Sequence, residues 1–282
     1  MVALLGFISS PASGVQIQRV RCARNQMPLL TIPPLSLAFL TGMLELLPRA
    51  FIAVGLTAAF ALAAWGVRAV TVSGALAGTL VTFVLCLAAG PPALLAVMTV
   101  FAMTFLTTRL GYVQKQRIGV AERHDGRRAS QIFANLGAAA LCAAPILVWP
   151  EARRGLLLAM CAALAEAAAD TVSSEIGEGF AGAPWLITSM RRVPAGTDGG
   201  ISVLGSISGI AAACVLCGVC NWMGLISAHW FRLIVGSATA GMFLDSLLGA
   251  TLERKGLIDN DAVNFAGTSF AAILAASLWL AK

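Results

Sequence analysis

The chain has 282 residues, 59% of them hydrophobic and 11% charged, with a formal net charge of +6 and a mean hydropathy of +0.86. Soluble domains carry about 25% charged residues, and a water-facing exterior cannot accommodate this much apolar surface, so a soluble globular fold is excluded. The 19 basic residues form no patch dense enough for nucleic acid; they sit in short links between apolar runs, where a membrane protein keeps the charges that orient it.

Residues 1–28 hold Arg19, Arg21 and Arg24, three serines and no acid, the first acidic residue being Glu45. These arginines follow the apolar stretch instead of preceding it, the reverse of a secretory signal. The composition suits an organelle transit peptide or an ordinary tail. Residues 29–282 read as a single transmembrane domain. About 20 apolar residues cross a bilayer as a helix, and apolar runs fall at 29–47, 49–65, 72–90, 92–110, 131–149, 155–176, 203–221, 230–252 and 262–281. Pro33, Pro34 and Pro48 interrupt the first two, which predict one full span and one partial one. The runs are rich in Ala and Leu and lack period-two alternation, so the expected fold is an all-α polytopic bundle of 7 to 9 spans.

Small residues recur four apart, as in Gly74 with Gly78 and Gly205 with Gly209, a spacing that lets membrane helices pack closely. Cys214, Cys217 and Cys220 have no histidine or fourth cysteine beside them, and read as buried thiols inside a helix instead of a metal site.

Run parity sorts the basic residues. With the N-terminus and the 111–130 link on one side, only Arg49, Arg153, Arg154, Arg232 and Lys282 fall on the other, leaving 14 of the 19 together. Discounting the three leader arginines leaves 11. The richer side is expected to be cytoplasmic, or stromal in a plastid.

Acids and amides inside apolar spans are costly and point to a site facing the bundle interior. Glu166 and Asp170 are four apart on one helix face, which Ser173 and Ser174 continue toward Glu175. Asp245 and Ser246 sit in the eighth run; Asp259, Asn260 and Asp261 open the last, with Asn264 a turn beyond; Asn135 lies early in the fifth. Parity brings Asp170, Glu175, Asp245, Asp259–Asn264 and Asn135 to the basic face, where one interfacial cluster would satisfy them all. The polar link 177–202 faces that cluster. Arg191 and Arg192 could pair donors with phosphate oxygens, Gly196, Gly199 and Gly200 free the backbone to present N–H groups, and Thr197 and Ser202 add hydroxyls. A Walker-type lysine loop is absent. His124 and His229 are the only histidines, and His124 is assigned no role.

Carboxylates and amides that hold Mg²⁺ between phosphates, beside arginines that neutralise phosphate oxygens, suit phosphoryl or nucleotidyl transfer to a lipid head group. Coupled transport also fits interior acids, although a transporter usually places its site near mid-membrane.

The blocks ERHDGRRASQIFANLGAAAL, AEAAADTVSSEIG, PWLITSMRRVPAGTDGGISVLG, GMFLDSLLGATLE and LIDNDAVNFAGT resemble, in this order, an integral-membrane family long labelled only as a domain of unknown function, which includes the phytyl-phosphate kinase of plants and cyanobacteria. The resemblance runs from about Ser73 to the C-terminus. It implies phosphoryl transfer from a nucleoside triphosphate, CTP or another, to an isoprenoid alcohol monophosphate, with Mg²⁺, in a chloroplast or bacterial membrane. Phytyl phosphate is the best-known acceptor, and its product feeds tocopherol synthesis. The motif positions carried over are Arg127, Asn135, Asp170, Ser174, Glu175, Thr188, Arg192, Pro194, Gly196, Thr197, Gly199, Gly200, Ser202, Asp245, Ser246, Asp259, Asn260, Asp261 and Asn264. Asp198 departs from the family's usual asparagine, and would repel phosphate unless protonated or metal-bound. The expected metal ligands are drawn from Asp170, Glu175, Asp245, Asp259 and Asp261, with Arg191 and Arg192 clamping phosphates.

Overall fold

The computed structural model describes residues 37–119 and 126–282, with side chains from Leu46 onward. The leader, Cys22, Arg123, His124 and residues 29–36 of the run 29–47 lie outside the described residues. Nine helices follow one another among those that are described: α1 (Leu37–Gly66), α2 (Val72–Ala89), α3 (Pro91–Arg109), the short α4 (Tyr112–Arg117), α5 (Ala129–Ala143), α6 (Arg153–Phe180), α7 (Val203–Trp222), α8 (Phe231–Thr251) and α9 (Asn260–Leu280). Eight are long and apolar enough to cross a membrane, in agreement with the all-α polytopic bundle expected. Lipid-facing side chains such as Leu76, Ile207, Trp222 and Ile273 remain exposed on the outside.

From Leu37 onward the first two predicted runs share one helix. α1 continues through Pro48, and Ala53 already packs beside Cys86 and Leu94, at the turn between α2 and α3. Gly66 ends the helix beside Arg68, so Leu46 lies toward the opposite face of the membrane. The parity that put the N-terminus beside the 111–130 link had counted two crossings here, and that placement does not follow from a single helix.

α6 is the axis of the bundle, with 89% of its membrane-length window buried against α3, α5, α7, α8 and α9. Its stretch of alanines makes this possible, since small side chains let five neighbours approach one helix. Gly205 and Gly209 of α7 act the same way: a Cβ on Gly205 would stand 2.6 Å from the Ser173 carbonyl, and one on Gly209 2.6 Å from the Ala169 carbonyl. The Gly205–Gly209 pair therefore packs as its spacing predicts. Gly78 does not, because a Cβ there meets nothing within 4 Å. Gly209→Leu is expected to wedge α7 from α6 and lower the melting temperature of the detergent-solubilised protein, while Gly78→Ala leaves it unchanged.

The ends of the bundle sort the charges as parity predicts from α2 onward. At one end Arg153 donates to the carbonyls of Ala88 and Ala89 at 3.0 and 3.4 Å, Gly155 lies against Trp279, and Lys282 sits over Trp230. At the other end Arg109 reaches the Val67 carbonyl and Arg127 pairs with the α1–α2 turn. α6 rises about 30 Å between Arg153 and Ser173, which is the thickness of the hydrocarbon. Its last two turns, to Phe180, thus reach head-group depth.

Candidate active site at the basic end of the bundle

Three helices that begin at this end carry side-chain caps, Thr71 for α2, Ser202 for α7 and Asp259 for α9, each accepting from the backbone N–H three residues on. Such caps satisfy otherwise orphaned donors, and the positive ends of α7 and α9 border a polar cavity of about 270 Å³. α6 supplies Asp170, Ser174 and Glu175, α8 supplies Asp245 and Ser246, α9 supplies Asn260 and Asn264, and Arg127 enters from the segment before α5. The turn Gly196–Gly200 closes it, with Thr197, Asp198 and Ser202 also in the wall.

The link after α6 carries a two-residue antiparallel pair, β1 (Trp185–Leu186) with β2 (Gly200–Ile201), where a polar connection alone was expected. Thr197 donates its backbone N–H and its hydroxyl to the Pro194 carbonyl and accepts from Gly200 N–H. Gly199 has φ +76°, and a Cβ on it would fall 2.5 Å from both the Ala250 nitrogen and the Ser246 carbonyl. Only glycine fits both the left-handed backbone and the close approach, so the turn lies directly on α8 one turn past Asp245.

Arg127 is held at the opposite wall by backbone pairing. Thr71 N–H donates to its carbonyl at 3.1 Å, and its own N–H donates to the Ala69 carbonyl at 2.9 Å. Gly74 makes this possible, since a Cβ there would stand 2.1 Å from that carbonyl. The charge of Arg127 acts on Asp170 across the cavity.

Several expected residues are elsewhere. Glu175 reaches the wall, but both its oxygens are engaged: Thr108 donates to Oε1 at 2.6 Å and Lys115, 1% exposed, pairs with Oε2. Lys115 also donates to the carbonyls of Thr107 and Thr108 at 3.2 Å. This ion pair fastens α4 to α6. Asp259 spends Oδ1 on the α9 cap, and neither it nor Asp261 lines the cavity. Arg191, Arg192 and Thr188 are exposed on the link and stand outside the wall; the Arg192 guanidinium lies 3.6 Å over the Trp185 ring and donates to the Ala183 carbonyl. The Asn135 side chain donates to Gln131 O at 2.8 Å and borders a second, larger cavity. Glu166 is buried deeper, in space that Gly241 and Gly267 leave between α8 and α9.

Glu178 and Glu253 also line the cavity and were not expected. Their signal was in the spacing: Asp170, Ser174 and Glu178 are four apart, as are Asp245, Gly249 and Glu253.

Among the described residues no three histidine, cysteine or carboxylate side chains come together as a metal site. Mg²⁺ in phosphoryl-transfer sites is commonly held by one or two carboxylates plus substrate phosphates. Asp170 and Asp245 meet that demand, the wall offers only hard oxygen and amide donors, and Asp245 Oδ2 is buried without a hydrogen-bond partner.

Eight membrane-length helices, with a polar cavity toward the basic end of the bundle, define a polytopic integral membrane protein. The chain belongs to the family described as integral membrane protein DUF92, whose model matches residues 55–272. It is 33% identical over 184 residues to uncharacterized membrane protein sll0875 of Synechocystis sp., covering 64% of this chain and 71% of that one. Protein VTE6, chloroplastic, of Arabidopsis thaliana is 28% identical over 220 residues, 74% of this chain and 65% of its own. Uncharacterized membrane protein MJ0933 of Methanocaldococcus jannaschii is 29% identical over 238 residues, 82% and 94% of the two chains. No solved structure matches.

Proposed function

We propose that the chain transfers the terminal phosphoryl group of a nucleoside triphosphate, CTP or another, to an isoprenoid alcohol monophosphate, phytyl phosphate foremost, giving the diphosphate. The observation that carries this reading is the cavity toward the basic end of the bundle, lined by Asp170, Asp245, Arg127 and the Gly196–Gly200 turn. The motif blocks that resemble the phytyl-phosphate kinase family supply these same residues. The end-on depth of the cavity favours lipid chemistry over transport, which usually uses a mid-membrane site.

An oxygen of the acceptor monophosphate forms the new bond to the γ-phosphorus as the bond from that phosphorus to its bridging oxygen breaks, and the nucleoside diphosphate leaves. The acceptor has a second pKa near ~6 and is largely dianionic at neutral pH, so no protein group has to remove a proton. The barrier to lower is repulsion between two anions. Arg127 neutralises the acceptor phosphate, the Gly196–Gly200 turn and the N-terminal ends of α7 and α9 receive the donor's phosphates, and Arg191 and Arg192 meet the donor from the water side. Asp170 and Asp245 are the residues that would hold Mg²⁺, which would supply neutralisation of the phosphate charge. The excess of positive residues at this end favours the cytoplasmic or stromal face for the cavity, in a chloroplast membrane for a photosynthetic eukaryote and the cell membrane for a bacterium.

Purified protein supplied with phytyl, geranylgeranyl and farnesyl phosphates and each of the four nucleoside triphosphates is expected to release nucleoside diphosphate and form the lipid diphosphate. Pyrophosphate release would show nucleotidyl transfer instead, and substrate flux into liposomes without nucleotide consumption would show a transporter; either overturns the reading. Arg127→Gln is expected to raise KM for the acceptor by about tenfold to a hundredfold, the worth of a charge-assisted hydrogen bond, with little change in KM for the nucleotide.

A further inference from the structure

The larger cavity, about 630 Å³, lies between α1, α2, α3, α5 and α6, within the ~300–1,000 Å³ range of ligand pockets. Its walls are mainly apolar and aromatic, with Arg68, Arg109, Arg127, Gln131 and Asn135 among the polar residues of the lining. Phe60 meets Phe101 edge-on at 5.3 Å, Phe101 stacks on Phe105 at 5.8 Å, and the Arg109 guanidinium covers Phe105 at 4.0 Å. The hydroxyl of Thr82 is donated back to the Gly78 carbonyl on its own helix, so it offers no donor to an occupant. Along α3 the cavity runs from Thr108 to Val97, about 16 Å of helix rise, from the basic end toward mid-membrane.

This cavity shares Arg127 and Thr171 with the polar one. A single ligand with an ionic head and a long hydrocarbon body would fill both, with Arg127 at the junction. The space is kept open on the α2 side by Gly78, whose Cβ position meets nothing within 4 Å although the residue borders the cavity. Gly74, a turn earlier, brings the Arg127 segment close.

We propose that the apolar cavity is the seat of the isoprenoid tail of the acceptor, and that the α2 wall at Gly78 sets the length of tail admitted. The proposal rests on the phosphoryl-transfer reading for the identity of the head group, and on the shared wall for the tail. A side chain at Gly78 projects into the space a long tail needs. Gly78→Phe is expected to lower the ratio of kcat/KM for phytyl phosphate over geranyl phosphate by about tenfold or more, the scale on which hydrophobic pockets discriminate. Ala75→Leu, on the same wall, should move the ratio in the same direction and serves should Gly78→Phe fail to insert.

Binding of radiolabelled phytyl phosphate to purified protein in nanodiscs is measured alongside turnover. Loss of phytyl phosphate binding relative to geranyl phosphate in the wall variants supports the tail site even should the wild type transfer no phosphate, a result that would defeat only the reaction assigned above. An unchanged preference between the two acceptors in well-folded wall variants, in both turnover and binding, overturns the tail site while leaving the reaction intact.

Discussion

Asp245→Asn is expected to lower turnover by about 10²–10³-fold, the scale of a lost electrostatic stabiliser in a preorganised site, without loss of membrane insertion or of the melting transition. Asp170→Asn should behave the same way. Asp245 Oδ2 is buried with no hydrogen-bond partner, and the charges of Asp170 and Glu253 bear on it. A scaffold alone gains nothing from like charges gathered in a partly buried space. Such an arrangement costs stability and is retained where a cation or a developing charge needs it. The isosteric amide removes one of those charges, so the variant should melt at the same temperature or slightly higher while turning over poorly. Purified Asp245→Asn that turns over within a few-fold of wild type would remove Asp245 from the reaction.

Lys115→Met is expected to have the opposite profile, a large loss of stability. The lysine is 1% exposed and its partner Glu175 is 10% exposed, so deleting the cation leaves a carboxylate buried with only Thr108 to satisfy it. Breaking a buried pair from one side costs about 3–5 kcal/mol, whereas replacing both partners is often near neutral. The double variant Lys115→Met/Glu175→Gln should therefore recover much of the lost melting temperature. Recovery of stability and turnover together in the double variant would fix Glu175 as the fastener of α4 to α6. A stable Lys115→Met protein, or a stable but inactive double variant, would return Glu175 to the set of reacting residues.

These two residues mark the line between what the sequence disclosed and what it did not. The spans are legible because bilayer crossing demands long apolar runs, and Asp170, Asp245 and the Gly196–Gly200 turn are legible because polar groups in such runs stand out. Parity alone brings them to one end. Glu175 has the same signature as Asp170, five residues earlier, yet its partner Lys115 is 60 residues away. A pairing at that separation depends on tertiary packing, which no local pattern encodes. Asp259 was legible in part, since an Asp before an apolar run is an N-cap signature, and the cap is where its oxygen goes. Arg191 and Arg192 are adjacent to the turn in sequence, but the pairing of Trp185 with Arg192 keeps them on the exposed link, outside the cavity wall. Arg127, identified only through family resemblance, holds the place in the wall. Pro48 interrupts the apolar pattern, since proline removes one helical hydrogen bond, yet α1 continues through it.

The central claim is that the carboxylate cavity at the basic end moves a phosphoryl group onto a lipid phosphate. The most direct test is a single-turnover reaction in nanodiscs, with a nucleoside triphosphate labelled only at its γ-phosphate and phytyl phosphate as acceptor, run for wild type and Asp245→Asn. The account predicts label in phytyl diphosphate for the wild type and almost none for the variant. Label appearing only in inorganic phosphate or pyrophosphate, or passing equally to the lipid in both proteins, would contradict it.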